Sequence, residues 1–378
     1  MKPIKVLHIV NLDKDNYYLN NLCDYTDAKE IEYSFVTFAP PSEFAEALEK
    51  RGKKVYSIDA MSRKNYPRAG KEIWKILKNE NPDVVHTHLF DPTLIGLTIA
   101  KRQKRQVIFT RHHSDALYQL SSAAKRKFYL KLEGYVNRKA DHIIAPSRMV
   151  RDILVEKENV PSAKVSLIPY GQTTERFDAI TAKTVENVQA ELGMKKNLAL
   201  VCTSRLFYRK GHIYLFEAFA DLVKNGLDAT LYLVGAGDYQ AELEQVAKDL
   251  KIENRVKFLG WRNDALAIIA AADIIVHPSL EDALSSAVIE SLMLGKPIIA
   301  TDISGVADSL DSGKYGKIVL PADAESFRAG LQETIENIEI AREKAKAGKK
   351  YLLEYMDSRR VAEEYQKVYQ NLLKAGQN

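Results

Sequence analysis

Residues 277–290 read HPSLEDALSSAVIE, and this stretch decides how the second half of the chain folds. It follows an apolar run typical of a buried strand. It continues into an apolar segment that ends at Gly295-Lys296-Pro297, so we predict a strand, a loop and a helix in that order. Ser285 or Ser286 would be the N-cap of the helix. The free N–H groups and positive dipole end of such a helix favour a phosphate there.

Two acidic residues in this stretch are candidate ligand contacts. Asp282 precedes the predicted helix, and Glu290 lies about one turn inside it, where it could accept hydrogen bonds from hydroxyl groups. Acidic residues near a helix N-terminus are also common because they stabilise the helix. The stretch alone therefore leaves two readings open: a binding site, or two surface acids.

Two further loops carry ligand-binding chemistry. Arg205 and Lys210 follow the predicted strand 198–204, a position where a phosphate is expected. Arginine recognises phosphate oxygens in a bidentate manner, and lysine supplies a compact charge. Gly235 and Gly237 follow the next strand and would let the backbone approach a ligand. For the loop with Arg205 and Lys210 the alternative is a solvated basic loop. For the loop with Gly235 and Gly237 it is an ordinary tight turn.

Short apolar runs alternate with helix-length segments along the whole chain. The runs are 5–10, 33–38, 54–59, 83–88, 106–111, 142–147, 198–204, 229–235, 255–260, 273–279, 297–301 and 317–320. Apolar runs without alternation indicate strands buried on both faces of a parallel sheet, and the spacers indicate βαβ units. We therefore predict an α/β fold of two Rossmann-like domains that face each other across a cleft, with ligands at the carboxyl ends of the strands.

The domain boundaries follow from turn-like and helical segments. The polar stretch 169–174 is the predicted linker, which gives domains of residues 1–175 and 176–356. The tail, residues 325–374, is charged and helical, with a break near residues 355–358. A chain of 378 residues also suggests roughly two to three domains.

Composition excludes several classes of protein. The hydrophobic share of 46% and the charged share of 28% are those of a globular protein, not of a disordered or collagen-like one. The two cysteines, Cys23 and Cys202, form neither a disulfide framework nor a metal motif. The sequence has no apolar core of a signal peptide and no run of 18 apolar residues. We therefore expect a reduced, cytoplasmic protein.

The order of the motifs resembles the C-terminal half of retaining glycosyltransferases of family 4, which have the GT-B fold. The matching residues are Arg205, Lys210-Gly211, Val234-Gly235, Gly237, Arg255-Val256, Phe258, Gly260, Pro278-Ser279, Asp282, Glu290, Gly295 and Pro297. The resemblance implies a donor-binding C-terminal domain and an acceptor-binding N-terminal domain. It also implies that a last helix, residues 357–378, crosses back to the N-terminal domain.

The resemblance assigns roles to individual residues. Arg205 and Lys210 would bind and stabilise the leaving diphosphate, and Glu290 would hold the ribose hydroxyls. The base would be bordered by Trp261 and Arg262, and the glycines Gly235 and Gly237 would belong to the donor site. The donor sugar and phosphate would be contacted by Asp282 and by the backbone of Ala283, Leu284, Ser285 and Ser286.

A histidine would contact the donor sugar near the reaction centre. The motif Thr110–His113 favours His112, with His113 as the second choice. His88, in the strand motif 83–88, is a further possible site residue, although His86 and His88 could equally be buried, hydrogen-bonded histidines.

The chain departs from the family pattern at four places. Asp282 stands where the family usually has Glu, and Glu281 is a possible substitute. Ala283-Leu284-Ser285 replaces the usual Gly-Phe-Gly-like run after the acid. Residues 11–16 lack the glycines that the family often has after the first strand. Residues 170–173 read Tyr-Gly-Gln-Thr where the family usually shows Asn-Gly-Val-Asp.

The implied reaction is transfer of a hexosyl group from a nucleotide-diphosphate sugar to a hydroxyl. It would retain the anomeric configuration and need no metal or cofactor. We expect a UDP-sugar rather than a GDP-sugar, and a glycan or lipid-linked acceptor in cell-surface polysaccharide or glycolipid synthesis. A sugar phosphorylase or a nucleotide-sugar epimerase on the same architecture remains an alternative, as does a non-catalytic binding module. A dinucleotide-dependent oxidoreductase is disfavoured because residues 10–20 contain no glycine.

The charge of the chain is concentrated in one segment. Residues 101–140 hold eleven basic and two acidic residues, a formal charge of +9, whereas the whole chain has +5 and the remainder therefore −4. Apolar and aromatic residues are interspersed at 122–138, so this segment could lie on an anionic membrane at the inner face of the plasma membrane. A packed helix with a solvated basic face is the alternative. A nucleic-acid partner is not expected.

Overall fold

Each half of the chain forms its own parallel sheet. The computed structural model describes residues 2–112, 122–282, 284–303 and 305–375. They form two units, one of Met1–Gln172 with Met356–Asn378 and the other of Thr173–Tyr355. Helices flank both sheets, as expected for the predicted α/β fold.

The N-terminal unit is built on seven parallel strands in the order β3-β2-β1-β4-β5-β6-β7. The strands are β1 (Ile4–Val10), β2 (Ile31–Thr37), β3 (Lys54–Ser57), β4 (Val84–His88), β5 (Gln106–Thr110), β6 (His142–Ala145) and β7 (Val165–Leu167). The helices are α1 (Tyr17–Tyr25), α2 (Glu43–Glu49), α3 (Tyr66–Glu80), α4 (Phe90–Arg102), α5 (Ala123–Lys139), α6 (Arg148–Asp152) and, from the end of the chain, α16 (Ser358–Ala375). β7, which has only three residues, is the strand that the sequence analysis missed.

The second unit has six parallel strands in the order β10-β9-β8-β11-β12-β13. They are β8 (Leu198–Thr203), β9 (Ala229–Val234), β10 (Val256–Phe258), β11 (Ile274–His277), β12 (Ile298–Thr301) and β13 (Lys317–Val319). Its helices are α7 (Glu175–Asp178), α8 (Ala182–Leu192), α9 (His212–Lys224), α10 (Gln240–Asp249), α11 (Ala265–Ala271), α12 (Ser286–Met293), α13 (Val306–Ser309), α14 (Ala324–Glu336) and α15 (Ile338–Tyr355).

The strand order fixes where a ligand can bind. In each sheet the first three strands are added in order towards one edge, and the later strands are added on the opposite side of the first strand. The reversal therefore lies between β1 and β4, which pair, and between β8 and β11, which also pair. In parallel α/β sheets, ligands bind at the carboxyl edge beside such a reversal. The loops after β8 and β11 therefore occupy the expected position in the second unit.

The last helix, α16, belongs to the core of the N-terminal unit, as the sequence predicted. Tyr365 and Tyr369 of α16 are fully buried in a cluster with Val6, Phe35 and Ile108. The predicted break in the tail lies between α15 and α16. There, the Ser358 hydroxyl donates a hydrogen bond to the Gln172 carbonyl at 2.8 Å.

The approach of Ser358 explains a glycine in the connecting segment. A Cβ at Gly171 would lie 2.9 Å from the Ser358 hydroxyl oxygen and 3.2 Å from the Ser358 Cα. A side chain at residue 171 would therefore displace the start of α16.

Among the described residues, no helix has the length and apolar character needed to cross a bilayer.

Candidate functional site

The candidate site in the second unit begins where the loops after β8 and β11 meet. Gly211 has a φ of +67°, and a Cβ at this residue would lie 2.0 Å from the Pro278 carbonyl oxygen. The Leu280 N–H donates a hydrogen bond to the Arg209 carbonyl at 2.9 Å. Only glycine fits this contact, because positive φ and the missing Cβ are both required. Residues 205–211 are thereby held against residues 278–282.

The loop after β9 contacts the loop after β8 in the same way. Cβ atoms added to Gly235 and Gly237 would lie 2.0 Å from the Ser204 carbonyl oxygen and 2.2 Å from that of Leu206. The Leu206 N–H also donates a hydrogen bond to the Ala236 carbonyl at 3.0 Å. These two glycines are thus required for contact between protein loops, whether or not a ligand also approaches them.

Lys210 and Asp282, both candidate catalytic residues, form an ion pair. The Lys210 Nζ lies 2.9 Å from the Asp282 Oδ2, and 12% and 29% of the two side chains are exposed. The neighbouring acid, Glu281, faces Arg209 instead, at 4.0 Å. The structure therefore places Asp282 beside Lys210 and directs Glu281 to a different cation.

Arg205, the other predicted phosphate ligand, is exposed. Its guanidinium lies over the Phe207 ring, 5.0 Å from the ring centroid. Within the described residues Arg205 has no ion-pair partner, so its charge is available to an anion. An arginine in that state can bind phosphate oxygens in a bidentate manner.

The N-terminus of α12 lies directly after this ion pair. Ser285 is the N-cap residue and Ser286 the first helical residue, but the Ser285 side chain does not cap the helix. The Ser285 hydroxyl is instead within hydrogen-bond distance of the His277 Nε2, at 3.0 Å. Leu284 is buried, and Ala283 lies outside the described residues. The first N–H groups of α12 are thus not capped by Ser285.

Glu290 is held by a residue that the sequence analysis did not identify. Its Oε1 lies 3.1 Å from the Nη1 of Arg176, which belongs to α7. Burial raises the pKa of Glu290, and the charge of Arg176 and its hydrogen bond to Glu290 counteract that shift. Arg176 precedes Glu290 by 114 residues in sequence, and no motif marks it.

The two residues predicted to border the base differ in their surroundings. Trp261 is 75% exposed, and its indole Nε1 donates a hydrogen bond to Asn263 at 3.3 Å. Arg262 is paired with Glu191 at 2.7 Å and with Asp264 at 2.8 Å. Trp261 therefore offers a free aromatic face, whereas two carboxylates already neutralise Arg262.

In the N-terminal unit, His112 follows β5 and is hydrogen-bonded on both ring nitrogens. Its Nε2 lies 2.9 Å from the Nδ1 of His88, and its Nδ1 lies 2.6 Å from the Tyr170 hydroxyl. His88 is buried, and its Nε2 lies 2.9 Å from the Nδ1 of His8. His113, the second choice of the sequence analysis, lies outside the described residues.

Comparisons with known proteins now assign the chain to a family. The model described as "Glycosyl transferases group 1" matches residues 185–351, and the model described as "Glycosyltransferase Family 4" matches residues 16–176. The chain belongs to glycosyltransferase family 4. The motif resemblance found in the sequence is thereby confirmed.

Individual relatives of this glycosyltransferase agree with the assignment. A UDP-Gal:alpha-D-GlcNAc-diphosphoundecaprenol alpha-1,3-galactosyltransferase of Escherichia coli is 28% identical over 259 residues, which are 68% of this chain and 67% of that protein. An alpha-monoglucosyldiacylglycerol synthase of Streptococcus pneumoniae is 28% identical over 239 residues, or 60% of this chain and 53% of that protein.

A solved structure shows the fold. Anabaena HepE in complex with UDP-glucose aligns with a TM-score of 0.82 at 19% identity, over 97% of this chain and 100% of that chain. The two parallel sheets of this glycosyltransferase are those of the GT-B fold, as the sequence predicted.

One histidine cluster in the glycosyltransferase has atoms close enough to hold a metal ion. Ligand atoms of His8, His86 and His88 lie within 4.8 Å of one another. However, the His86 nitrogens are hydrogen-bonded to Tyr369 at 2.8 Å and to Thr110 at 2.7 Å, and His8 and His88 contact each other. A metal would have to displace these bonds, so the cluster fits a hydrogen-bonded core better than a metal centre. The buried-histidine interpretation holds for His86.

The buried histidines predict a loss of stability in acid. Burial lowers the pKa of His8 to about 3 and that of His277 to about 4, and it also lowers the pKa of His86 and His88. Below the ordinary histidine pKa of about 6.5, the unfolded chain binds protons that the folded chain does not, so the free energy of unfolding falls as pH falls. Each such group contributes up to about 1.4 kcal/mol per pH unit once the pH is below that value.

Urea unfolding at about pH 7.5 and about pH 5.5 measures this effect. We expect a lower unfolding free energy at the lower pH, and a smaller difference when His86→Gln removes one buried imidazole. A free energy that is unchanged or higher at the lower pH would contradict the neutral state of these histidines.

Proposed function

We propose that this glycosyltransferase transfers a hexosyl group from a nucleotide-diphosphate sugar, a UDP-sugar rather than a GDP-sugar, to a hydroxyl of a glycan or lipid-linked acceptor. The reaction would retain the anomeric configuration and serve cell-surface polysaccharide or glycolipid synthesis. The observation that carries the proposal is the convergence of Arg205, Lys210 and the start of α12, which the Ser285 side chain does not cap, at one edge of the second sheet. Positive groups at this edge match a leaving diphosphate.

Binding of the diphosphate would change the Lys210–Asp282 pair. The Lys210 ammonium is already paired in this structure, with the Asp282 carboxylate at 2.9 Å. A diphosphate oxygen could replace Asp282 as the partner of the Lys210 ammonium. The Asp282 carboxylate could then accept hydrogen bonds from sugar hydroxyls. One exchange would thus place the leaving group and orient the sugar, and Arg205 would add a second positive charge to the diphosphate.

Glu290 would accept hydrogen bonds from the ribose hydroxyls. Its burial favours the neutral acid, which is a poorer acceptor, and Arg176 opposes that tendency. Arg176 is therefore proposed to keep Glu290 ionised for this contact. The exposed ring of Trp261 provides an apolar face on which a base could stack.

The choice of donor and acceptor is supported by the substrates after which two relatives are named. The Escherichia coli relative is named for UDP-Gal and a diphosphoundecaprenol-linked sugar, and the Streptococcus pneumoniae relative is named for a glucosyldiacylglycerol. We propose the same classes for this chain, with His112 contacting the donor sugar and with no metal ion or cofactor. The positive groups would supply the electrostatic stabilisation that a metal ion provides in other transferases.

Replacement of Lys210 should abolish most of the activity without unfolding the protein. We expect Lys210→Ala to lower kcat with UDP-sugars by about 100-fold or more, since a preorganised charge on the leaving group is lost. Glu290→Ala should lower kcat/KM to a similar extent, because it removes the proposed contact with the ribose hydroxyls of the donor.

Lys224→Ala is the matched control, because Lys224 is an exposed lysine of the same unit on α9. Turnover and thermal unfolding of Lys224→Ala should equal those of the wild type, and Lys210→Ala and Glu290→Ala should remain folded at the assay temperature. Near-normal turnover by Lys210→Ala or Glu290→Ala would refute the site assignment. Consumption of a sugar phosphate without nucleotide would favour a phosphorylase instead.

We further propose that the enzyme works in the cytoplasm at an anionic membrane surface, through the N-terminal unit. A cavity of about 640 Å³ lies between α3 and α4. Its lining includes the half-exposed Trp74 and the cations Lys71, Lys75 and Arg102, and it has no acidic residue. Arg102 belongs to the basic segment 101–140, and Phe128 on α5 of the same segment is 59% exposed. Cations around exposed apolar groups suit an anionic lipid surface.

The chain allows a direct test because it has only two tryptophans. In a Trp261→Phe variant, Trp74 is the sole indole, and brominated anionic vesicles should quench its fluorescence at low salt but much less at about 0.5 M salt. The Trp74→Phe variant keeps Trp261 and serves as the control, with little quenching expected. Equal quenching of both variants, or none at low salt, would contradict the proposed surface.

A further inference from the structure

Four side chains of the N-terminal unit form one continuous hydrogen-bonded chain. It runs from the Tyr170 hydroxyl to the Nδ1 of His112, from the Nε2 of His112 to the Nδ1 of His88, and from the Nε2 of His88 to the Nδ1 of His8. The three contacts measure 2.6, 2.9 and 2.9 Å. The other nitrogen of His8, Nε2, is buried and has no hydrogen-bond partner.

The rings are oriented for true N–H···N hydrogen bonds. The centroids of His8 and His88 are 5.2 Å apart with planes 18° apart, and those of His88 and His112 are 5.2 Å apart with planes 28° apart. These separations are close to the largest that a contact of 2.9 Å between ring nitrogens allows. The rings therefore lie edge to edge, with each proton in the plane of both imidazoles, as a strong hydrogen bond requires.

The inner members of the chain are neutral. Burial lowers the pKa of His8 to about 3 and that of His88 well below its ordinary value, and the neighbouring histidines lower the pKa of His88 further. A neutral imidazole has one N–H donor and one acceptor nitrogen. A chain of such rings consequently has two consistent arrangements, with all protons directed outward or all directed inward.

The unpartnered end of the chain selects between these arrangements. If the protons were directed inward, the Nε2 of His8 would carry a buried N–H without an acceptor. If they are directed outward, this nitrogen is a bare acceptor without a donor. Orphaned buried N–H groups are rarer in proteins than under-satisfied acceptors, so the outward arrangement is favoured. Each histidine then carries its proton on Nδ1, and the Nδ1–H of His112 donates to the Tyr170 oxygen.

We propose that His88, supported by His8, is a positioning residue that fixes His112 as a neutral ring with its proton on Nδ1. Protonation of His112 on Nε2 would bring two N–H groups face to face, unless the whole chain reversed and buried a proton on His8. His112 would therefore act as a neutral polar group and not as an acid. This role rests on the proposed contact of His112 with the donor sugar.

Among the described residues whose rings contact this hydrogen-bonded chain, the polar groups are uncharged aromatic hydroxyls and a neutral ring. Tyr18 on α1 lies 6.2 Å from His112 and 6.4 Å from His88, between ring centroids, and Tyr18 itself contacts Tyr365 of α16. His86 on β4 stacks on His88 at 4.3 Å. These described neighbours add no carboxylate to stabilise an imidazolium.

Nitrogen NMR of the full-length protein with ¹⁵N-labelled histidine tests the proposal without any activity measurement. The ring signals of His8, His88 and His112, assigned by single substitutions, should each show a protonated Nδ1 and a bare Nε2 at about pH 7. A protonated Nε2 on His8 or His112, or an imidazolium at His112, would overturn it.

Two variants of His88 separate positioning from mere packing. His88→Asn places an amide nitrogen near the former Nδ1, where it can still donate to His112, whereas His88→Phe fills the space without a donor. We expect the tautomer of His112 and the pH–rate profile to be preserved in His88→Asn. In His88→Phe, part of the His112 population should carry its proton on Nε2, and the pH profile of kcat/KM should differ from that of the wild type.

Identical profiles in both variants would refute the positioning role. If the protein had no glycosyltransferase activity at all, the proposed function would fail. The NMR result would still show on which ring nitrogens His8, His88 and His112 carry their protons. If His88→Phe failed to fold, the wild-type spectrum and His88→Asn would suffice.

Discussion

The close contact of backbone with backbone among the loops after β8, β9 and β11 is the constraint on which the proposed donor site depends. A Cβ at Gly211, Gly235 or Gly237 would lie 2.0 to 2.2 Å from a carbonyl oxygen of a neighbouring loop. Such contacts tie the three loops into one unit at the reversal of strand order. The basic residues of the loop after β8 and the acidic residues of the loop after β11 are brought together because their backbones are already in contact.

Most of the charged side chains at this site are paired with one another. Lys210 is neutralised by Asp282 and Glu290 by Arg176, while Arg205 stays exposed. A buried charge without a partner is costly, so each ion pair stabilises the folded loops at this site. A diphosphate can replace the carboxylate at Lys210 because it also carries negative charge. The proposed diphosphate binding is therefore an exchange of anions at Lys210, with Arg205 as a second cation.

The fold, and the loops that meet at the candidate site, were predictable from the sequence because both depend on local patterns. Continuous apolar runs indicated the buried parallel strands, and the spacing of Lys210, Asp282 and Glu290 matched a family motif. Arg176 could not be predicted, since it reaches Glu290 from a short helix distant in sequence. The chain from His8 to Tyr170 depends on the order of strands β1, β4 and β5, which no local pattern reveals. The uncapped start of α12 was also unforeseen, because the Ser285 hydroxyl bonds to His277 instead.

The central claim is that the carboxyl edge of the second sheet binds the diphosphate of a nucleotide-sugar donor. Calorimetric titration of the full-length protein with UDP, GDP and ADP tests it most directly, in the absence of any acceptor or added metal. The account predicts saturable binding of UDP, weaker binding of the other two nucleotides, and competition between UDP and a UDP-sugar for one site. No binding of any of the three nucleotides would contradict it.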